Sequence, residues 1–299
     1  MIRVKTIVYE LLYKTKLLNI LNDKAYLKYF YKKNIGKKLN LENPISYNEK
    51  LQWLKIYDRK DIYTTMVDKY EVKDYVSKII GKQFIIPTIG VYDTFDEIDF
   101  NKLPNQFVIK CTHDSGGLVI CKDKKTLNIE EAKKKINKCL KNNFYYTGRE
   151  WPYKNVKPRI IIEEYMEDKA DKELRDYKFF CFNGHYKVIF IATNRQGDGD
   201  TYFDFFDRDF NHLPFTNGHP NAPKLPHKPK KYEEMIELAE KISKGIPQVR
   251  IDFYEVNGRV YFGEATFFHW SGFMPFEPEE WDKKLGDMID LSLVKKNEK

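Results

Sequence analysis

The feature that most constrains the fold is a change of hydrophobic period near residue 82. Before this point apolar residues recur at the spacing of amphipathic helices, whereas after it they form short runs separated by turn residues. Ser46, followed three residues later by Glu49, has the spacing of a capping box that begins a helix. We therefore predict that the first 80 residues are helical, with helices at 2–21, 46–57 and 61–79.

Beyond residue 82 the sequence predicts short strands and two further helices. Asn183-Gly184 lies between two apolar runs and is a strong signal for a tight hairpin, and Asn257-Gly258 separates a second such pair. The stretch 214–231 contains five of the 13 prolines and is predicted to be a long loop. Strands are predicted at 84–87, 107–110, 118–121, 160–163, 177–182, 186–192, 249–256 and 259–265, and helices at 129–142 and 232–244.

The net charge of +8 is concentrated at the start of the chain. Residues 1–40 contain ten Lys or Arg and two acidic residues, so the rest of the chain is close to neutral. Because nucleic-acid binders usually carry a broader basic surface, we expect no nucleic-acid partner. The predicted helix at 2–21 is basic and amphipathic, and two interpretations remain open: it packs on the body of the protein, or it contacts an anionic membrane face.

The sequence contains no apolar run with the length of a signal peptide core or a transmembrane helix. Its four cysteines show no CxxC pair and no zinc-site spacing, which favours reduced thiols. These features predict a cytoplasmic protein, with residues 1–40 as its candidate peripheral contact with the inner membrane face.

The strongest candidate for chemistry is the hairpin around Asn257-Gly258. Arg250 and Asp252 alternate along its first strand, and Glu264 and Thr266 alternate along its second. A two-residue turn would send Glu264 to the face opposite Asp252, whereas a three-residue loop would place all four side chains on one face. We predict the three-residue loop, because a divalent cation held between two carboxylates removes their repulsion. A surface hairpin with an Arg–Glu ion pair is the alternative.

Three weaker motifs precede this hairpin in the chain. Asp68-Lys69 is predicted to lie on a helix, with Lys73 one turn further on. Lys110 ends a strand before the turn 115–117, whose glycines let backbone N–H groups approach phosphate oxygens. The apolar strand at 160–163 ends in two acidic residues, Tyr and Met, residue types that suit an adenine ring and its amino edge. Individually, each motif also fits a solvated helix face, a hairpin turn or a strand end.

In this order the four motifs resemble those of the ATP-grasp superfamily over residues 68–275. A more specific resemblance, over about residues 40–290, is to its TupA-like branch, the teichuronopeptide-biosynthesis type. It rests on longer motifs that occur together in the chain. These are Asn43-Pro44, Tyr47-Asn48-Glu49-Lys50-Leu51-Gln52-Trp53, Asp68-Lys69-Tyr70, Phe107-Val108-Ile109-Lys110, Asp176-Tyr177-Lys178-Phe179, Phe182-Asn183-Gly184, Val249-Arg250-Ile251-Asp252-Phe253-Tyr254, Gly263-Glu264-Ala265-Thr266-Phe267 and Ser271-Gly272-Phe273.

The resemblance implies an α+β ATP-grasp fold, in which two α+β lobes with antiparallel sheets close on ATP. The implied domains are a helical N-terminal segment with a basic amphipathic start at 1–82, an N-lobe with a phosphate lid at 83–165, and a C-lobe with a metal site at 166–299. ATP and Mg²⁺ are the implied cofactors.

The resemblance also implies a role for each candidate residue. The nucleotide would contact Lys69, Lys110, Lys178, the lid residues Ser115, Gly116 and Gly117, the adenine-lining Glu163, Glu164, Tyr165 and Met166, and Asp176 at the ribose. Asp252 and Glu264 would bind Mg²⁺, with the Thr266 hydroxyl as a weaker ligand in place of the Asn found in many ATP-grasp enzymes. Arg250, Lys110 and Lys178 would stabilise the transferred phosphoryl group.

The implied reaction is ATP-dependent ligation of a carboxylate and an amine through an acyl phosphate. The branch implies that the carboxylate is a uronic acid of a bacterial surface polysaccharide and that the partner is an amino acid or small amine. Alternatives are a kinase on the same fold, a glycosyltransferase of surface-polysaccharide synthesis, and a non-catalytic binding module driven by residues 1–40. Phe268-His269-Trp270 departs from the smaller residues of the branch and predicts a differently shaped acceptor pocket. His113 and His269 are weak candidates for a general base.

Overall fold

The computed structural model describes residues 17–168, 174–195 and 199–294. The helix predicted at 2–21 lies outside these residues except for a 3₁₀ turn at Leu17–Ile20. The helices are α1 (Asp23–Ile35), α2 (Tyr47–Tyr57), α3 (Ile62–Val67), α4 (Glu71–Ile80), α5 (Ile129–Leu140), α6 (Tyr145–Gly148), α7 (Tyr232–Ser243) and α8 (Glu280–Asp287). The strands are β1 (Thr88–Tyr92), β2 (Phe107–Cys111), β3 (Leu118–Cys121), β4 (Ile160–Glu164), β5 (Asp176–Phe182), β6 (His185–Thr193), β7 (Tyr202–Phe206), β8 (His212–Leu213), β9 (Gln248–Val256) and β10 (Arg259–Thr266).

Among the described residues before position 82 the predicted helical segment is confirmed, with one correction. The Ser46 side chain accepts the Glu49 N–H and the Glu49 carboxylate reaches back, so the predicted capping box begins α2. The single helix predicted at 61–79 is wrong, because the chain leaves the helix between α3 and α4. At this break Asp68 Oδ1 accepts a hydrogen bond from the Tyr70 N–H at 2.8 Å. The Lys69 N–H donates at 3.0 Å to the carbonyl oxygen of Thr112, which directly follows β2. Asp68-Lys69 therefore lies in a break between helices and not on a helix.

The smaller sheet has four antiparallel strands in the order β1-β4-β2-β3. The strand predicted at 84–87 is wrong, since Lys82–Phe84 forms a 3₁₀ turn and β1 begins at Thr88. Pro87 has no N–H to donate to a ladder, so regular pairing starts only after it. The α5 helix covers one face of this sheet through Ala132 and Ile136, which share a core with β2 and β4.

The larger sheet has six antiparallel strands in the order β10-β9-β5-β6-β7-β8. Asn183 and Gly184 have φ values of 53° and 83°, so the predicted hairpin turn between β5 and β6 is confirmed. The β7 and β8 strands were not predicted. Every residue of β5 is buried, so this strand is covered on both faces of the sheet.

The main core joins this sheet to both sets of helices. The α7 helix contributes Met235 and Ala239, and the N-terminal helices contribute residues such as Leu51 and Val76 to the same apolar cluster. The helices α2 to α4 therefore pack against the larger sheet through this core. The domain boundaries at 82 and 165 stay a prediction.

Candidate active site

The β9–β10 hairpin places four polar side chains on one face, as predicted, but the backbone feature that does so differs from the predicted one. Val256 pairs with Arg259, so the loop is the two-residue Asn257-Gly258 turn with φ values of 51° and 73°. The predicted three-residue loop is therefore wrong. A bulge between Phe262 and Glu264 shifts the register instead, so that Glu264 faces Asp252 and Thr266 faces Arg250.

Gly263 is the residue that makes this bulge possible. A Cβ at this position would lie 3.0 Å from the Tyr254 ring and 3.2 Å from the Asp252 carbonyl oxygen. A side chain here would need the Tyr254 ring or the Asp252 backbone to move by a few tenths of an ångström, so glycine suits this position. The bulge returns Glu264 to the face of Asp252, which a regular two-residue hairpin would not do.

Asp252 is the centre of the polar face and is completely buried. Arg250 binds it with two parallel bonds, Nε to Oδ1 at 2.7 Å and Nη2 to Oδ2 at 2.8 Å. Lys178, directly opposite on β5, donates to the same Oδ2. Burial alone would raise the pKa of Asp252, but Arg250 and Lys178 outweigh it and hold that pKa well below its usual range.

Arg250 extends the network toward the cleft. Its Nη2 lies 3.0 Å from Thr266 Oγ1 and 3.3 Å from Glu264 Oε1. Its Nη1 donates to His269 Nδ1 at 2.8 Å, and the other ring nitrogen of His269 donates to Asn217 Oδ1 at 3.0 Å. Burial, together with the Arg250 charge, lowers the pKa of His269 well below its usual value, so this imidazole is neutral and fixes Arg250. It is not placed as a general base.

Glu264 and Thr266 offer oxygen atoms to the cleft that suit a hard divalent cation, whereas both oxygens of the buried Asp252 already accept bonds from Arg250 and Lys178. Asp252 and Glu264 are cross-strand neighbours, the Thr266 hydroxyl lies beside them, and 44% of the Glu264 side chain is exposed to the cleft. Mg²⁺ typically takes one or two protein carboxylates together with phosphate oxygens and water. Residues 17–168, 174–195 and 199–294 contain no group of three or more His, Cys, Asp or Glu that could bind a metal alone.

The smaller sheet presents a second charged cluster across the cleft. Glu163 on β4 is buried and pairs with Lys110 of β2 at 2.6 Å and with Lys73 of α4. Burial would raise the pKa of Glu163, but the two lysines outweigh it and the pKa lies below its usual value. The Glu163 carboxylate thus holds two ammonium groups, of which that of Lys110 lines the cleft, and this contact was not predicted from the sequence.

The turn after β2 brings Lys69 to the same cleft. Lys69 Nζ donates to the Asp114 carbonyl oxygen, and the Asp114 side chain accepts the Gly117 N–H at 3.0 Å. A Cβ on Gly117 would lie 2.5 Å from Cys111 Sγ, so the turn closes tightly on its own strand. His113 is buried beside it, with Nε2 near the carbonyl oxygens of α5's end, and does not line the cleft.

A cleft of about 720 Å³ separates the two clusters. A second hollow of about 300 Å³ adjoins it beside the end of β4. The two share Lys110, Leu118, Arg195 and Tyr254 as lining residues and therefore form one continuous groove. Such a groove is the default location for a small-molecule site.

Most of the sequence-predicted residues meet in this groove. Its larger part is lined by Lys69, Lys110, Ser115, Gly117, Asp176, Lys178, Arg250, Glu264 and Thr266, and the hollow is lined by Lys110, Glu163, Glu164, Tyr165 and Met166. Gly116 is not among the lining residues, and Asp252 lies behind Arg250. Asp176 is buried, and its carboxylate is held by Lys178 at 3.3 Å and by Arg195. Their individual roles stay predictions.

Several residues of the groove were not predicted as site residues from the sequence. Tyr254 continues the alternation of Arg250 and Asp252 along β9, so the period of the strand could have found it. Phe30 of α1 and Glu150 lie far away in the sequence, and no local pattern marks them. The tertiary fold brings these segments together: α1 contacts α6, where Tyr26 Oη donates to Thr147 O at 2.8 Å.

Two antiparallel sheets that face one groove, with lysines on the smaller sheet and paired acids on the larger, define the ATP-grasp class of proteins. The model of the TupA-like ATP-grasp family matches residues 49–290. The chain therefore belongs to the TupA-like ATP-grasp family. No curated protein matches the sequence.

Similar solved structures include three ligases. D-alanine–D-alanine ligase from Helicobacter pylori is 14% identical, with a TM-score of 0.41, and the match covers 77% of this chain and 62% of that chain. D-alanyl-alanine synthetase A from Vibrio cholerae is 12% identical, with a TM-score of 0.42 and coverage of 73% and 57%. The Bacillus anthracis D-alanine–D-alanine ligase complexed with ATP is 15% identical, with a TM-score of 0.35 and coverage of 73% and 57%. This chain thus spans about three fifths of their length.

No helix among the described residues is long and apolar enough to cross a membrane.

Proposed function

We propose that this protein is an ATP-dependent ligase that activates a carboxylate as an acyl phosphate and joins it to an amine. One observation carries the proposal: Lys178, Asp252 and Glu264 lie side by side on three neighbouring strands, with Arg250 bound to both acids, and face Lys110 across the groove. This arrangement concentrates cationic donors and carboxylate ligands where a triphosphate and an attacking carboxylate could meet. Membership of the ATP-grasp family supports the same reaction class.

In the proposed first step a carboxylate oxygen attacks the γ-phosphorus of ATP, and the bond to the β-phosphate oxygen breaks. Catalysis of such a transfer depends mainly on positioning and on neutralising charge. Lys69 and Lys110 would bind phosphate oxygens from the smaller sheet, and Arg250 would stabilise the transferred group from the larger sheet. Asp252 and His269 hold Arg250 in place before substrate arrives, so little reorganisation is needed.

Asp252, Glu264 and Thr266 are the residues that would bind Mg²⁺. When bound, the ion would neutralise phosphate charge and orient the polyphosphate. The hollow beside β4, which Tyr165 and Met166 line, would take the adenine. These assignments follow from the family and from the donor types.

We further propose that the carboxylate is a uronic acid of a bacterial surface polysaccharide and that the amine is an amino acid or small amine. The TupA-like branch supports this substrate class, and so does the basic start of the chain, which suits work beside an anionic membrane face. Peripheral membrane contact through residues 1–40 is part of the same proposal.

The first test is thermal melting with Mg²⁺ alone, with Mg-ATP and with a Mg-UDP-sugar. A ligand at 100 times its Kd adds about 2.7 kcal/mol to the free energy of unfolding, and we expect this only with Mg-ATP. Release of ADP would then be measured with uronates and amines in combination. Stabilisation by the UDP-sugar alone would favour a glycosyltransferase, and a stable phosphorylated product formed without an amine would favour a kinase.

A further inference from the structure

The groove contains a buried acid, Glu150, that the phosphoryl transfer does not use. It lies between α6 and the 3₁₀ turn Trp151–Asn155, lines the groove, and is only 5% exposed. The Ser271 hydroxyl donates to its Oε1, and this is the only side-chain hydrogen bond of Glu150 among the described residues. Its other carboxylate oxygen is therefore left for a donor that enters the groove.

The nearest buried cation is not that donor. Lys55 lies beneath Glu150 and its Nζ donates to Gln52 Oε1, Gly148 O and Ser271 O at 3.0, 2.7 and 2.8 Å. These three bonds use every N–H of the ammonium group. Burial lowers the pKa of Lys55 to about 7 and raises that of Glu150, with Lys55, Ser271, Arg250 and Glu264 as the groups that act on this carboxyl. Lys55 thus acts on the carboxyl through its charge, but no ion pair of Glu150 forms among the described residues.

The backbone before Glu150, and that of the segment facing it, is held in uncommon conformations. Arg149 has a φ of 55°, and on the facing wall Trp270 and Ser271 have φ values of 50° and 53°. A Cβ on Gly148 would lie 2.2 Å from Ser271 Oγ, so the two walls touch and fix the pair. Left-handed non-glycine residues of this kind persist where the surrounding structure over-determines them, and they cluster at functional sites.

The walls around the carboxyl are aromatic. Phe30, Phe144, Tyr153, Trp270 and Phe273 line the groove at this end. Aromatic faces attract organic cations, and an apolar wall strengthens any charge pair that forms inside it. A free carboxylate oxygen among such faces matches an ammonium group on a small organic molecule.

We propose that Glu150 is the catalytic residue that binds the amine substrate as its ammonium ion and accepts its proton, with Ser271 as the positioning residue. The inference rests on the proposed ligase function and names its second substrate site. The ammonium transfers one proton to the Glu150 carboxylate. The nitrogen lone pair then forms the N–C bond, the bond between the acyl carbon and the phosphate oxygen breaks, and phosphate leaves with the electron pair and takes the second proton. Glu150 releases its proton to water as the product departs.

The test compares two nucleophiles that differ in proton state. Hydroxylamine is unprotonated at neutral pH and captures an acyl phosphate as a hydroxamate without help, whereas glycine and ethanolamine must first lose a proton. Wild type, Glu150→Gln, Ser271→Ala and the matched control Glu237→Gln, an exposed acid on α7, would be assayed with Mg-ATP, glucuronate or galacturonate, and each nucleophile. We expect Glu150→Gln to lower amide formation by about 100-fold or more and hydroxamate formation far less. Ser271→Ala should shift the acidic limb of the pH–rate profile for amides, and Glu237→Gln should behave as wild type.

An equal fall of both products in Glu150→Gln, or unchanged amide formation, would overturn the assignment. A wild type that forms no hydroxamate would instead count against the proposed ligase activity. In that case ligand-observed NMR with ethanolamine, in the presence of Mg²⁺ and a non-hydrolysable ATP analogue, decides on Glu150 separately. Binding to wild type that is lost in Glu150→Gln supports the amine site, and equal binding or none in wild type overturns it.

Discussion

The two sheets carry the same charge motif on opposite walls of the groove. In each, a buried carboxylate is held between two cations: Glu163 between Lys73 and Lys110 in the smaller sheet, and Asp252 between Arg250 and Lys178 in the larger. In both, the cations outweigh burial and keep the pKa of the acid below its usual value. The motif therefore stores positive charge on both walls without leaving a buried ion unpaired.

The two clusters differ in how firmly they are built. The Asp252 cluster uses neighbouring strands of one sheet, a bidentate arginine and a neutral His269 behind it. The Glu163 cluster draws on α4, β2 and β4 and uses lysines, which bind as point charges on flexible stems. The Lys110 side chain is 24% exposed, against 9% for Arg250.

This difference suggests that the two sheets have different roles in binding and catalysis. A rigid, planar donor suits the transferred phosphoryl group, whose geometry changes little between substrates. Flexible lysines suit the nucleotide, which has to enter and leave. Substitutions in the larger sheet should consequently cost more activity than those in the smaller one.

The largest effect is expected from Asp252→Asn. The change leaves the Arg250 and Lys178 charges buried without their anion, which should lower the free energy of unfolding by about 3–5 kcal/mol. Loss of the anchor of Arg250 should also slow ADP release by about 100- to 1,000-fold. Urea unfolding and steady-state ADP assays measure the two effects, with Glu255→Gln on the same strand as control. An Asn variant as stable as wild type would contradict the conclusion that the Asp252 cluster is the more firmly built of the two.

The matched change in the smaller sheet is Glu163→Gln, for which we expect a loss of about 3 kcal/mol in the free energy of unfolding. The folded pKa of Glu163 lies below its ordinary 4.5, so its charge stabilises the fold above pH 4.5. That contribution is lost as the pH falls through the folded pKa. The difference between wild type and variant should thus be full at pH 7 and shrink below pH 4.5. Its neighbour Glu164 is exposed, and Glu164→Gln should show no such trend.

Glu264→Gln separates chemistry from stability on the larger sheet. The side chain is 44% exposed and touches Arg250 only at 3.3 Å, so the fold should be retained. Loss of a carboxylate ligand should reduce Mg²⁺-dependent ADP release by about 100-fold or more. Circular dichroism and a Mg²⁺ titration of turnover check both parts. Turnover that persists at wild-type Mg²⁺ concentrations would reject the metal assignment of Glu264.

The same two walls show what a sequence can and cannot predict. The residues Arg250, Asp252, Glu264 and Thr266 were found because strand alternation and a turn dipeptide are local signals. Even there, the shared face arises from the bulge at Gly263 and not from the expected loop, and no local signal in the sequence marks the position of that bulge.

Contacts between distant segments were not predictable. Lys73 lies on the predicted helical segment, but its partner Glu163 lies on β4, 90 positions further along the chain, and only the tertiary fold brings the two together. The break at Asp68-Lys69 depends likewise on a bond to Thr112, and Glu150 meets Ser271 across 121 positions. Propensity and period describe neighbours along the chain, so tertiary contacts of this kind override or escape them.

The smallest effect is expected from Lys110→Ala, which tests the contribution of the smaller sheet to ATP binding. A charge-assisted hydrogen bond to phosphate contributes about 1.5–3 kcal/mol when fully desolvated, but the Lys110 ammonium is partly exposed and Lys69 lines the same groove. We therefore expect the Kd for Mg-ATP to rise only about tenfold, or roughly 1.4 kcal/mol.

The control is Lys187→Ala, an exposed lysine on β6 that should leave the Kd unchanged. Calorimetric titration with Mg-ATP distinguishes them. Equal affinities would show that the smaller sheet does not bind the phosphates, whereas a loss as large as that in Asp252→Asn would mean that the two walls are equally preorganised.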